Sequence, residues 1–298
     1  MDTTNKIIVG ISVGDINGIG IEIILKTFED KRMLEFCTPV LFASTRLISY
    51  HKKNLKLNTN IHSINSIDKI SHDKINLMNS WNEDVKIEIG KITETGGKFA
   101  FKSLETATKA LKSNHINVLL TAPISKENIQ SENFKFPGHT EYLEENLTGK
   151  SLMILMTDEL RIGLITAHIP ISEVATSITP ELIKEKVEIM HTSLKQDFGI
   201  SKPKIAILGL NPHCGDNGII GKEDDEITRP VIAEIKESGK LIFGPYAADG
   251  FFGSETYKQF DGVLAMYHDQ GLAPFKALSF GNGVNFTAGL NKIRTSPD

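Results

Sequence analysis

Apolar runs of strand length alternate along this chain with amphipathic segments that are long enough to be helices. A helix over 98–113 would place Phe101, Leu104 and Ala107 on one face, and a second long helix is predicted over 180–198. Strands that alternate with helices favour an α/β fold with a largely parallel sheet. The predicted strands span residues 7–13, 39–43, 117–121, 152–156, 161–166, 204–208 and 262–266.

The length of 298 residues corresponds to about two domains. Hydrophobic residues make up 40% of the chain, which is an ordinary globular composition. We predict a first α/β domain over 1–130 together with the C-terminal tail 289–298. The second α/β domain is predicted over 131–288.

The charge balance narrows the range of partners. Lys and Arg number 33 against 37 Asp and Glu, a net charge of −4, which argues against nucleic acid and membrane surfaces but leaves room for a local basic pocket. Two isolated cysteines, Cys37 and Cys214, favour a reducing cytoplasm. No apolar run approaches the roughly 18 residues of a membrane helix. The first residues are predicted to be a strand and not a signal peptide.

Three of the nine histidines, His168, His213 and His268, end or follow predicted strands. Ligands in α/β folds bind at the carboxyl ends of strands, where these imidazoles would meet. Three imidazoles can hold one divalent metal ion and leave positions open for a substrate. Any one of them alone is more often a hydrogen-bonded structural histidine, and the two interpretations are evenly balanced. The histidines expected on the surface are His51, His62, His72, His115 and His191.

Two glycine-rich loops follow predicted strands. The loop 14–22 either receives an anion on its backbone amides or is a tight turn, and the tight turn is favoured. Its spacing matches neither a dinucleotide fingerprint nor a P-loop. The loop 211–221 suits a cofactor or phosphate lid. Its predicted cofactor-binding residues are Asn211, Gly215, Gly218 and Gly221.

The charged residues that follow this loop are interpreted either as structural or as ligand-binding. The acidic run 223–226 at a predicted helix start is explained by a favourable interaction with the helix dipole. Lys276 and Arg294 are the residue types that clamp phosphate or carboxylate groups near a metal site. Each of these two, taken singly, is more often a solvated surface charge.

Eight motifs in order carry a resemblance to a known family. The motifs are GDINGIGIE (14–22), TAPISK (121–126), GHTE (138–141), TAHIP (166–170), LNPHCG (210–215), ADGFF (248–252), YHDQG (267–271) and RTSPD (294–298). With them the chain resembles the 4-hydroxythreonine-4-phosphate dehydrogenase (PdxA) family over essentially its whole length.

The resemblance implies a role for particular residues. His168, His213 and His268 would be the ligands of a divalent metal ion such as Zn, Mg, Co or Mn, in one chain or across two subunits. Asp249 would be the catalytic base, directly or through a water, and Lys276 would share in catalysis. The substrate-binding residues would be His139, Thr140, Lys276, Asn285 and Arg294, and which cation holds the phosphate stays open.

The resemblance also implies a fold and a reaction. The fold would be that of isocitrate and isopropylmalate dehydrogenases, with two α/β/α domains flanking a cleft, in a cytoplasmic homodimer with a shared active site. The reaction would oxidise 4-phosphooxy-L-threonine with NAD or NADP and decarboxylate it to 3-amino-2-oxopropyl phosphate, in pyridoxal 5'-phosphate (vitamin B6) biosynthesis. The alternatives are a D-threonate or D-erythronate 4-phosphate dehydrogenase, a metal-dependent hydrolase and a non-catalytic phosphate-binding homologue.

The sequence departs from the family pattern at two places. Ile16 and Ile21 stand where family members usually have proline, which should change loop stiffness more than chemistry. The family pattern continues after Asp298 with His-Gly-Thr and a closing segment that helps hold the cofactor. From this we expect a chain that holds metal, binds NAD poorly and turns over slowly.

Overall fold

The computed structural model describes residues 6–279 and 281–297. The first five residues, residue 280 and Asp298, which ends the motif 294–298, lie outside the described part. The strands are β1 Ile7–Ser12, β2 Cys37–Ala43, β3 Ile61–Ile64, β4 Ile75–Asn79, β5 Val118–Thr121, β6 Gly149–Met156, β7 Arg161–Leu164, β8 Lys204–Leu208, β9 Leu241–Tyr246, β10 Gly262–Ala265, β11 Val284–Leu290 and β12 Ile293–Pro297. The helices are α1 Gly20–Thr27, α2 Met33–Phe36, α3 Thr45–Leu55, α4 Glu94–Lys112, α5 His139–Asn146, α6 Ile171–Ser177, α7 Pro180–Gln196, α8 Arg229–Glu237, α9 Ala248–Gly253 and α10 His268–Ser279.

The chain divides into two compact units. The first runs up to Thr148 and includes Asn291–Pro297, and the second is Gly149–Leu290. This division falls later than the predicted boundary at 130/131. Aromatic packing explains the difference, because Tyr142 on α5 stacks on Phe134 with ring centroids 5.5 Å apart and meets the edge of Phe101 on α4 at 5.9 Å. Helix α5 therefore belongs to the first unit.

The first unit contains a parallel sheet in the order β3-β4-β2-β1-β5-β12. Its core combines Ile11, Leu41 and Leu77 from the strands with Phe99 on α4 and Trp81. Helix α4 begins at Thr93, whose side-chain oxygen accepts a hydrogen bond from the backbone amide of Gly96 at 3.0 Å. This is the usual way in which a threonine satisfies one of the unpaired amides at a helix start.

The second unit contains a mixed sheet in the order β11-β6-β7-β10-β8-β9. Strands β7, β10, β8 and β9 are parallel, while β6 pairs antiparallel with β7 and β11. The connection between β6 and β7 is a short turn in which Thr157 donates its backbone amide to Leu160 at 2.8 Å, and so short a turn requires antiparallel strands. The predicted α/β class is correct, but the expectation of a largely parallel sheet holds fully only for the first unit.

The loop 14–22 is a tight turn, as favoured from the sequence. Gly14 has φ +68°, and a Cβ there would lie 2.1 Å from the carbonyl oxygen of Pro123, so only glycine fits. The Asp15 side chain accepts the backbone amide of Asn17 at 2.9 Å, and the Asp15 amide donates to Pro123 at 3.0 Å. These contacts account for the motif without a ligand.

Among the described residues, no helix has the length and apolar character needed to cross a membrane.

Candidate functional site

A buried arginine lies at the strand ends of the first unit. Arg294 is on β12, next to β5, and only 4% of it is exposed. Its Nε and Nη2 atoms donate to the hydroxyl oxygen of Thr121, the last residue of β5, at 3.0 and 2.6 Å. Burial lowers the pKa of Arg294 to about 10, with the negative charge of Glu141 acting in the opposite direction. Burial disfavours the charged form of this guanidinium, and an anionic ligand at this place would favour it.

His139 adds a second polar group to this place. It is the first residue of α5 and is partly exposed as a whole, yet its Nε2 atom is buried and has no hydrogen-bond partner. Burial, followed by the positive charges of Arg294 and Lys126, lowers the pKa of His139 well below its ordinary value. The imidazole is therefore neutral near pH 7. We name Thr121, His139 and Arg294 the cationic site.

Two of the three predicted metal ligands meet in the second unit. His168 follows β7, and His268 follows β10, the parallel neighbour of β7. Their ring centroids are 5.4 Å apart, with an angle of 44° between the planes. The Nδ1 atom of His268 lies 2.7 Å from an oxygen of Asp269, an interaction that orients a ring and leaves Nε2 for a ligand. We name His168 and His268 the imidazole pair.

His213 is not part of that pair. It is exposed, has φ +52° and lies in the loop after β8. Within residues 6–279 and 281–297, no group of three or more His, Cys, Asp or Glu side chains is arranged to hold a metal ion. Two imidazoles at adjacent strand ends suit a divalent ion in their donor chemistry. Ligation by all three histidines stays a prediction.

The loop 211–221 has an unusual backbone. Residues 213–218 all have positive φ, between +44° and +85°, a conformation that is costly for residues other than glycine. Asn211 donates its side-chain amide to Glu223 at 2.8 Å, and a Cβ on Gly221 would lie 2.6 Å from the Asn211 amide nitrogen. The structure thus explains Asn211 and Gly221 by the packing of the loop itself. Their role in cofactor binding, with Gly215 and Gly218, stays a prediction.

Asp224 anchors this loop. It is fully buried, and its carboxylate oxygens accept the backbone amides of Leu210 and Asn211 at 2.8 and 2.9 Å. The interaction with the helix dipole that was predicted for residues 223–226 therefore does not describe the main role of Asp224, which is to accept these two backbone amides. Asp224 is the first residue of a short helix, and its contact with the backbone amides after β8 is not evident from the local sequence.

We expect Asp224→Ala to lower the free energy of unfolding by about 3 kcal/mol, because it leaves two backbone amides without an acceptor. Urea unfolding measures the change. Asp225→Ala is the matched control, since the ion pair of Asp225 with Arg229 is partly solvated. Equal stability of the two variants would contradict the anchoring role.

The remaining predicted residues occupy separate places, three of them in the second unit. Asp249 is an exposed residue of α9, and its charge contributes, after burial and Asp224, to a raised pKa of the Cys214 thiol. Lys276 is exposed near the end of α10. Asn285 lies on β11 opposite Leu155, and its buried Oδ1 has no hydrogen-bond partner. In the first unit, Thr140 follows His139 on α5 and is partly exposed.

Sequence reasoning missed the role of two residues of the first unit. Thr121 ends a buried strand before Ala-Pro, but nothing local marks it as the partner of an arginine. His51 was expected on the surface, and this expectation is wrong. It is 4% exposed, because α3 packs it over the turn 14–22, where its Nε2 atom lies 3.2 Å from the carbonyl oxygen of Ile16.

The buried histidines predict a pH-dependent stability of the first unit. Burial lowers the pKa of both His51 and His139 below the ordinary value of 6.5. Below pH 6.5 the unfolded chain therefore binds more protons than the folded chain. The free energy of unfolding should fall as the pH falls from 6.5 toward the lowered pKa values, and this loss is absent above 6.5.

Urea unfolding at pH 7.5 and pH 5.5, followed by the fluorescence of the buried Trp81, measures this effect in the first unit. His51→Gln keeps an amide donor for Ile16 and should reduce the difference between the two pH values. His115→Gln, at an exposed position, is the control. An unchanged difference in His51→Gln would contradict the assignment.

Fold and side chains together define an α/β protein with a buried cationic site and a pair of imidazoles at strand ends, the place where this class binds small ligands. Comparison with known proteins identifies the family. The family model described as pyridoxal phosphate biosynthetic protein PdxA matches residues 35–298. The chain belongs to this family, and the resemblance inferred from the motifs is confirmed.

Individual relatives of this chain support the same family assignment. A protein of Bacteroides thetaiotaomicron named 4-hydroxythreonine-4-phosphate dehydrogenase is 52% identical over 295 residues, which cover 98% of this chain and 81% of the relative. A protein of the same name from a Sulfurihydrogenibium species is 42% identical, with 97% and 88% covered. The crystal structure of the 4-hydroxythreonine-4-phosphate dehydrogenase of Klebsiella pneumoniae has a TM-score of 0.84 at 30% identity, with 99% of this chain and 91% of that chain covered.

Proposed function

We propose that this protein oxidises 4-phosphooxy-L-threonine with NAD and decarboxylates the product to 3-amino-2-oxopropyl phosphate, in pyridoxal 5'-phosphate biosynthesis. The observation that carries this function is the buried Arg294, together with the buried Nε2 atom of His139 that has no hydrogen-bond partner, in a chain 52% identical to a relative of that name. A phosphate group would accept hydrogen bonds from such a guanidinium and place negative charge beside it.

The chain's own residues bind and orient the substrate. Arg294 offers a fixed, planar set of donors to an oxyanion. The neutral ring of His139 offers one further donor at Nε2, and Thr140 is the adjacent polar residue. Lys276 and Asn285 remain proposed substrate contacts, and the buried Oδ1 of Asn285 is an acceptor for a donor such as an amino group.

A divalent metal ion fits the imidazole pair, and His213 is the proposed third ligand. When bound there, such an ion would act as a Lewis acid toward the substrate hydroxyl. Asp249 is the proposed acceptor of the hydroxyl proton, directly or through a water. NAD, when bound, would supply the nicotinamide that accepts the hydride of the same carbon. The carboxyl carbon then leaves as CO2, its bonding electrons form an enolate with the new ketone, and a proton adds to the amino-bearing carbon to give the product.

We propose a cytoplasmic homodimer. Large apolar side chains are exposed around the histidines of the second unit, with Ile171 72% exposed next to the His168 loop and Ile219 80% exposed in the loop 211–221. A second copy of the chain would cover such side chains. Sedimentation at the assay concentration tests the dimer, and a fully active monomer would exclude a shared active site.

The test of the function is NADH formation, followed by its absorbance, when NAD and 4-phosphooxy-L-threonine are added to the metal-loaded protein. D-Threonate and D-erythronate 4-phosphate are compared at equal concentration. NADH formed only with these sugar-acid phosphates would assign the alternative dehydrogenase. Phosphate release without NAD would indicate a hydrolase, and binding without either product would indicate a non-catalytic homologue.

A further inference from the structure

Four aromatic rings meet beside helix α5. Phe101 lies on α4, Phe134 and Phe136 lie in the connection between β5 and α5, and Tyr142 lies on α5 itself. Phe134 and Tyr142 each contact the other three rings, with ring centroids 5.4 to 5.9 Å apart. These two rings are stacked on each other, and their other contacts are edge-to-face. We name the four residues the aromatic cluster.

The aromatic cluster is buried and geometrically specific. Phe134 is 0% exposed and Tyr142 is 5% exposed, while Phe101 and Phe136 are half-buried. Aromatic pairs favour offset-stacked and edge-to-face arrangements over other orientations. Loss of one of the two central rings should therefore change the placement of the remaining rings as well as the buried apolar area.

Helix α5 depends on such packing. It has eight residues, and Gly138 before it offers no side chain to cap its first amides. Helices of this length are not stable by themselves in water, and tertiary contacts of their apolar face stabilise them. The buried side chains of α5 are Tyr142 and Leu143. Tyr142 joins α5 both to α4 and to the preceding connection, so its packing restrains the rotation of the helix about its axis.

His139 lies one helical turn from Tyr142. The two residues are three positions apart on α5, and Leu143 is four positions from His139, so all three side chains share one face of the helix. This shared face explains why the Nε2 atom of His139 is buried although the residue as a whole is partly exposed. Within residues 6–279 and 281–297 this atom has no hydrogen-bond partner, so no hydrogen bond at Nε2 holds the ring in place.

The surface on which Tyr142 packs is held by its own hydrogen bonds. Ser131 and Phe134 exchange backbone hydrogen bonds at 3.1 and 3.2 Å. The Gln130 side chain donates to the carbonyl oxygen of Phe136 at 2.9 Å. The segment that carries two of the four rings is therefore ordered by contacts that do not involve α5, and it can act as a template for the helix.

We propose that Phe134 and Tyr142 are positioning residues, which through the aromatic cluster hold α5 in the rotation that places the Nε2 atom of His139 for contact with the substrate. This inference rests on the proposed function for the identity of the substrate. The two rings act through His139 and touch neither the substrate nor the cofactor. The connection between β5 and α5 thereby gains a role in the site.

The experiment replaces each central ring by leucine and follows His139 by NMR. The ring signals of His139 are assigned by their absence in His139→Gln, and their pH titration gives the pKa. In Phe134→Leu and Tyr142→Leu the ring is released from burial, so the pKa of His139 should rise toward the ordinary value of 6.5. The kcat/KM for 4-phosphooxy-L-threonine should fall roughly 10- to 100-fold, as expected when a positioned group is displaced by about 1 Å. The KM for NAD should stay nearly unchanged.

Three variants separate positioning from a general loss of packing. Phe99→Leu removes another buried ring of α4, which packs on Trp81 at 5.0 Å, and it should leave the pKa of His139 and kcat/KM at the wild-type values. Tyr142→Phe keeps the ring and should also keep both values. Phe136→Leu, at a half-buried position, is the milder variant and should have an intermediate effect. Circular dichroism in urea shows that each variant is folded.

The other outcomes are equally definite. An unchanged pKa of His139 in both central variants would overturn the proposal, and so would an equal change in Phe99→Leu. A raised pKa with an unchanged kcat/KM would overturn the positioning role, because the cluster would then hold α5 without serving the substrate. Absence of NADH formation in the wild-type protein would refute the proposed function itself. The NMR comparison would then decide alone whether the aromatic cluster holds His139.

Discussion

Arg294→Met will lower kcat/KM for the phosphorylated substrate by about 100-fold or more and leave the KM for NAD nearly unchanged. Hydrogen bonds to charged groups contribute roughly 1.5–3 kcal/mol each, and the guanidinium can offer at least two to an oxyanion. Methionine fills a similar volume without a charge to desolvate. We therefore expect the free energy of unfolding to stay within about 2 kcal/mol of the wild-type value.

Steady-state kinetics with each substrate varied in turn measures the effect, and urea unfolding shows that the variant is folded. Arg46→Met is the control, because Arg46 is exposed and its ion pair is with the exposed Asp84. Equal loss of substrate and NAD affinity in Arg294→Met would mean that this residue serves the cofactor. Unchanged kinetics would remove the cationic site from the proposed function.

His268→Ala will weaken the binding of a divalent metal ion by more than about 100-fold and reduce activity in proportion. The variant leaves His168 without its neighbouring imidazole, and loss of even an outer-shell partner of a metal site costs roughly 10- to 100-fold. Metal content after dialysis, measured by mass spectrometry, is the readout that does not depend on activity.

Two further variants complete this test. His115→Ala, at an exposed position of the first unit, should retain the metal. His213→Ala tests the third predicted ligand, and a large loss of metal is expected there too. Full metal retention in His268→Ala would show that the imidazole pair is a structural contact, whereas retention in His213→Ala alone would reduce the site to two histidines.

The strands that the sequence predicts best are those with continuous apolar runs. Strands β2 and β8, for example, are found where their apolar patterns placed them, because a strand buried on both faces has a distinctive composition. No strand was predicted within residues 54–90, where the structure has β3 and β4. On β4, Asn76 is fully buried, and its amide is satisfied by the carbonyl oxygens of Pro39, Ser71 and Lys74. A polar residue of this kind conceals a strand from any pattern of hydrophobicity.

The candidate site, like the fold, was predictable from the sequence only in part. The position of His168 and His268 after predicted strands was sufficient to expect them near each other, because parallel neighbours end at the same edge of a sheet. His213 follows β8, which is also a neighbour of β10, yet the left-handed backbone of its loop leaves it exposed. Strand order alone therefore does not decide which of three imidazoles meet.

The sequence by itself determined the α/β class, the family and most of the residue types that the chemistry requires, because these depend on local periodicity and on motifs. Only the tertiary structure decided which of those residues meet. Thr121 and Arg294 are 173 positions apart, and β12 has no apolar pattern of its own; it is a strand because it pairs with β5. Such a contact forms when the burial and hydrogen bonding of the whole unit outweigh the entropy lost in joining distant segments, and no short stretch of sequence contains that balance.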